Sequence, residues 1–185
     1  MAMNNNDRIN KAFQLLSEGL ADPVDAVMTG VFHTSDWADA WAAADAQKYG
    51  TVPRRMNKND VQVQLRAITE YGREFNRILS RRQQAYASEL RDIRNEWAHM
   101  ETFSSGQTLR ALDTIELLLD AVNAPDSAAD VRRLHDNLQR TMYESHTRSV
   151  AKRKSVSIDP DQGMKAWREV IKPHEDVASG RFTAS

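Results

Sequence analysis

Apolar residues along this chain recur every three or four positions, the spacing of helices that bury one stripe and leave the rest to water. Ile9, Phe13, Leu16 and Leu20 share such a stripe and predict a helix over residues 7–20, with Asn6 as its cap. Asp22 and Pro23 restart the chain, and Val24, Val27, Met28 and Val31 predict a short second helix with proline in its first turn. Ser35 and Asp36 open a third helical piece over residues 37–49, which Gly50 ends. Residues 51–59 read as irregular and basic. Asp60 then caps a helix carrying Val61, Leu65, Ile68, Tyr71 and Phe75. A break is expected near Leu79 and Ser80. The following helix spans residues 81–99, with Tyr86, Leu90, Ile93 and Trp97 facing inward. Residues 102–106 form a loop and cap. Residues 107–122 bury Leu109, Leu112, Ile115, Leu118 and Leu119, and a last helix over residues 127–149 buries Val131, Leu134, Leu138 and Met142.

Alternating runs of β-branched and aromatic residues are hard to find, and Ala, Leu, Arg, Gln and Glu outnumber Gly and Pro, so the expected class is all-α. At 185 residues the chain suits one domain with a tail: a helical domain over residues 1–149, then a basic linker and loosely ordered segment over residues 150–185. The linker reading rests on the run from Ala151 to Ser155, and the tail reading on Pro160, Gly163, Pro173 and Gly180.

Net charge is −1, so the chain as a whole does not attract polyanions, and any nucleic-acid site must come from local clustering. Of the 25 basic residues 18 are Arg, whose planar fork matches phosphate in a way Lys does not. The absence of cysteine excludes disulfides and thiolate chemistry. No secretory signal or apolar run of membrane-spanning length is visible, and the expected location is cytoplasmic.

The helix ending at His99 carries the candidate chemistry. Asn95 and His99 lie four apart and share a face, and Arg94 is about 100° round from Asn95, within reach of the same cleft. Breaking RNA by attack of its own 2′-hydroxyl needs a proton-transfer group near neutrality and positive charge beside the phosphorane. An imidazole and a guanidinium supply these, and an amide orients one of them. No metal is required, and no zinc-site spacing is visible among the other histidines. Spacing alone does not decide the matter. Arg140 and His146, and Arg168 and His174, repeat the Arg-to-His pattern elsewhere, and the structural reading makes Arg94 a solvated charge and His99 a C-terminal cap.

The stretch from Glu89 to His99, which reads Glu-Leu-Arg-Asp-Ile-Arg-Asn-Glu-Trp-Ala-His, resembles the motif helix of HEPN domains. Phe103 to Ser105, Arg110 to Glu116, and the opening from Arg8 to Leu20 are similar to one branch of that family, typified by a nuclear mRNA-surveillance endoribonuclease. The likeness covers residues 7–145. It implies a compact helical bundle, usually homodimeric, in which two motif helices form one composite cleft. It further implies that Arg94 and His99 are a catalytic pair supported by Asn95, with no cofactor, and that RNA is the substrate. Some HEPN domains serve only as RNA-binding or dimerising modules, and that alternative stays open. Residues 164–174 and 176–181 resemble the entry to a large P-loop ATPase of phage-defence gene clusters, which implies a downstream ATPase region as partner and a defence or toxin-like role.

Two further features have competing readings. Trp37 and Trp41, four apart, either stack bases or pack a core or dimer seam. Arg73, Arg77, Arg81 and Arg82 form a basic stripe that either tracks an RNA backbone or is a solvated face paired with acids.

Overall fold

A computed structural model describes residues 3–99 and 102–156, with side chains through Lys152. The described residues contain helices and no strand: α1 (Asn5–Phe32), α2 (Trp37–Tyr49), α3 (Val61–Glu70), α4 (Gly72–Phe75), α5 (Arg81–Ala98), α6 (Ser105–Ala121) and α7 (Pro125–Val156). The chain is all-α, as its periodicity predicts.

The framework is a ring of four helices. α1 packs on α3 and α6, and α5 packs on the same two from across the ring. Leu16, Leu20, Ile68, Leu90, Leu112 and Ile115 fill the centre and are fully buried. Gly19 permits close approach of the chain that follows α6. A Cβ there would lie 2.3 Å from Leu119 Cδ2 and 3.1 Å from the Ala124 Cβ.

The expected break at Pro23 does not occur. α1 runs through it for 28 residues, capped by the Asn4 side chain rather than by Asn6. An interior proline costs roughly 3 kcal/mol, since one backbone bond is lost and its ring crowds the carbonyl four residues back. Val24 and Met28 continue the buried row of Leu16 and Leu20, and burying each contributes about 1.5–3 kcal/mol. The row outweighs the proline. α1 ends at His33, which takes the left-handed conformation at φ 56°.

A second difference lies at Tyr71. The helix that Asp60 caps stops at Glu70, and α4 restarts at Gly72. Gly72 is a poor helix former, and the Tyr71 ring is engaged edge-on by Trp41 and Phe32, with centroids 5.4 and 5.7 Å away. Trp37 and Trp41 are buried core residues, which decides between their two readings. Trp37 Nε1 donates to Asp25 Oδ1 at 3.0 Å.

Residues 3–142 belong to one compact unit, which includes the first half of α7 with Ala128, Val131 and Leu138 buried. From Tyr143 the helix continues with mostly exposed side chains. The run Ala151–Ser155, read as linker, is helical. Ala, Lys and Arg are strong helix formers, and charge alone does not interrupt a helix. The tail reading and the ATPase likeness from Ser157 onward fall outside the described residues.

Candidate active site at the end of the fifth helix

Both ends of α5 are set by local chemistry. At its start Ser80 and Gln83 form a reciprocal capping box: Gln83 N–H donates to Ser80 Oγ, and Ser80 N–H donates to Gln83 Oε1 at 2.8 Å. At its finish His99 is the C-cap, and its backbone N–H donates to the carbonyls of Asn95 at 3.1 Å and Glu96 at 3.2 Å. The chain beyond is pinned as well. Phe103 is buried, and Asn5 Nδ2 donates to its carbonyl at 2.9 Å.

Three side chains of α5 lock its rotation. Leu90 is fully buried. Arg91 Nη1 donates to Thr69 Oγ1 on α3 at 2.6 Å. Glu89 accepts a fork from Arg110 on α6, at 2.7 Å from Nε and 3.0 Å from Nη2. That guanidinium holds the Glu89 carboxyl below the usual carboxylate range, against the opposing effect of partial burial. Glu89 and Arg110 come from two of the stretches that carry the sequence resemblance, and the fold joins them directly.

With α5 held in this way, Arg94, Asn95 and His99 remain uncommitted. Arg94 is half-buried and makes no ion pair or hydrogen bond through its side chain among the described residues. It lines two spaces. One is a small cavity of about 30 Å³ shared with Asn95, Arg91, Gln62 and Leu65. The other is an open groove of about 550 Å³ against α1 and the start of α3. Asn95 is exposed. His99 is exposed too, and its imidazole has no hydrogen-bond partner among the described residues. The structure therefore brings Arg94 and Asn95 to one cavity and sets His99 one turn further along, lining neither space. Glu96 is exposed and forms no ion pair among the described residues. No group of three or more His, Asp or Glu suited to a metal ion occurs among them either.

Arg73, Arg77, Arg81 and Arg82 are exposed, and none is ion-paired among the described residues. Arg73 and Arg77 line a separate groove with Val27, Gly30 and Ile78. Arg81 and Arg82 begin α5, so about 25 Å of helix rise separates them from His99.

Sequence reasoning missed Arg91 as a neighbour of Arg94, and it missed the α1 side of the larger groove. The signal was present in the polar row Asn10, Gln14 and Glu18, spaced by four beside the apolar stripe of the same helix.

The family model described as Swt1-like HEPN matches residues 11–123, a span from the second turn of α1 to the residue pair after α6. No curated protein and no solved structure matches the chain. No described helix is long and apolar enough to cross a membrane.

Proposed function

The chain belongs to the Swt1-like HEPN family, and from that premise we propose that it is a metal-independent endoribonuclease acting at a composite cleft between two copies. HEPN domains are commonly ribonucleases or RNA-binding modules, so membership supports an RNA-directed role at the level of the family. One observation carries the finer reading: a rigidly held helix end presents a guanidinium, an amide and an imidazole that have no partner among the described residues.

In the reaction the substrate's 2′-hydroxyl attacks the adjacent phosphorus, and the 5′-oxygen leaves. His99 moves the proton, Arg94 stabilises charge on the phosphorane oxygens, and Asn95 positions one of these groups. The products are a 2′,3′-cyclic phosphate and a 5′-hydroxyl end. A second motif helix from the partner copy completes the cleft. Arg73, Arg77, Arg81 and Arg82 hold RNA further from the cut. The setting of a phage-defence or toxin-like system, with an ATPase region as partner, rests on the resemblance of residues 164–181 alone.

A competing reading, a non-catalytic RNA-binding or dimerising module, is favoured by the position of His99 outside both cavities that Arg94 lines. RNA digestion in excess chelator decides between them. Wild type is expected to cut, and Arg94→Ala and His99→Ala to cut about 10²–10³-fold more slowly. Equal rates for all three would remove these residues from the mechanism. Cutting abolished by chelator would remove metal independence. Tight RNA binding without turnover would establish the module reading.

A further inference from the structure

The larger groove beside Arg94 has a composition that a phosphate site alone does not need. Its volume, about 550 Å³, lies within the range of small-molecule pockets. Arg94 is the one cation among the described residues of its lining, whereas Glu18 and Asp60 both contribute carboxylates. A second phosphate placed here would meet repulsion, but a neutral group would not. The apolar wall is aromatic. Phe13 is buried beneath it, and half-buried Trp97 stands 6.3 Å from Phe13 between ring centroids. The remaining wall is a row of hydrogen-bonding side chains on α1. Asn10, Gln14 and Glu18 are exposed at intervals of four and make no hydrogen bond among the described residues.

A guanidinium that lines both a small cavity and this groove, an indole beside it, and amides and a carboxylate along one edge match the parts of a nucleotide. We propose that this groove is the base-recognition pocket for the nucleotide whose phosphate Arg94 holds, and that it selects bases carrying an exocyclic amino group. The inference rests on the phosphate-binding role given to Arg94 above. An aromatic face accepts any base, so Trp97 supplies affinity without choice. Choice comes from the edge. A carboxylate only accepts hydrogen bonds, and Glu18 therefore suits the N4 amino group of cytosine or the N1–H and N2 amino group of guanine. Uracil offers that carboxylate a single N3–H flanked by two carbonyl oxygens that repel it, and so pairs less well. The Asp60 carboxylate reinforces the bias, although one of its oxygens is already occupied by the Gln62 N–H at 2.8 Å.

The test titrates the full 185-residue chain with cytidine, guanosine and uridine 3′-monophosphates and follows the tryptophan indole N–H signals by NMR. Trp97→Phe assigns the relevant signal. The cytidine and guanosine nucleotides are expected to shift it and to bind at least about fivefold more tightly than the uridine nucleotide. Glu18→Gln, an exposed and conservative change that adds a donor, should bring uridine monophosphate level with the others. Equal affinity for all three nucleotides, unchanged discrimination in Glu18→Gln, or a Trp97 signal that none of them moves would overturn the pocket. A groove covered by a second copy of the chain would give the last of these results. The outcomes also separate from those of the cleavage assay. A silent Trp97 in a chain that cuts RNA through Arg94 and His99 removes the base pocket and leaves the ribonuclease. Base discrimination at Trp97 in a chain that never cuts leaves the pocket and removes the cleavage.

Discussion

Arg66 and Arg94 face the same bundle from neighbouring helices and are used in opposite ways. Arg66 Nη2 donates to Asp45 Oδ2 at 2.6 Å and its Nε to Glu70 Oε1 at 2.7 Å, while the guanidinium carbon sits 4.5 Å from the centre of the Trp41 ring. Those acids, Glu70 first, raise its already high pKa further. Arg94 is half-buried, with no carboxylate and no aromatic face engaged among the described residues. Partial burial without a partner costs free energy, because water is removed and nothing replaces it. The first arginine closes a junction between α2 and α3. The second holds its donors toward a cavity. The pairing of a cation therefore separates structure from availability here better than its position in the chain does.

The largest effect should come from breaking the closed junction. Trp41→Ala removes the ring that Trp37, Tyr71 and Arg66 all touch, and should cost about 3–5 kcal/mol in urea unfolding. A loss under 1 kcal/mol would mean the aromatic junction is not the structural half of the contrast. Arg94→Ala should do the reverse. Its unfolding midpoint should stay within about 0.5 kcal/mol of wild type while RNA cleavage falls about 10²–10³-fold. A strongly destabilised Arg94→Ala would place Arg94 with Arg66 and dissolve the comparison.

How far the sequence reveals this contrast depends on which force decides each element. Period and caps were enough for α6, for the span of α2 that Gly50 ends and for the start of α3 at Asp60, but they carried α3 past its end at Glu70. They misled at Pro23, because a local propensity lost to a buried row that only tertiary contact creates. They misled again after Val150, where charge was read as linker although every residue from Ala151 to Lys154 favours helix. At the candidate site the residue types and their shared helix end were legible. That Arg66 is paired and Arg94 has no partner among the described residues could not be read, since pairing depends on which helices face each other. The polar row on α1 was visible as a pattern but had no meaning until α5 was placed opposite it.

Arg66→Ala sharpens the contrast from the other side. It strips Asp45 of a close partner and removes the cation from Trp41, and the groups are only partly exposed. A loss of roughly 1–2 kcal/mol is expected, reduced from the full worth of charged hydrogen bonds by solvent. Per folded molecule, cleavage should match wild type. An Arg66→Ala chain that folds normally but cuts RNA slowly would show that the junction also serves the site.

The smallest effect concerns the fork that orients α5 itself. Glu89 is held below its ordinary value of 4.5 by Arg110, so its contribution to stability is complete above the unfolded carboxylate's range and disappears as pH falls through the lowered folded value. Arg110 is 68% exposed at its side chain, and water screens the pair, so the contribution should be small. Urea midpoints at pH 7 and about pH 3 should therefore converge slightly more in Glu89→Gln than in wild type. Cleavage discriminates a role in holding the helix from a role in the reaction. If the fork only fixes the rotation of α5, Glu89→Gln and Arg110→Ala should lower the rate by similar small factors and the double variant by no more than one of them, because each change breaks the same clamp. Multiplicative losses in the double variant would mean that one of the two residues also touches the RNA.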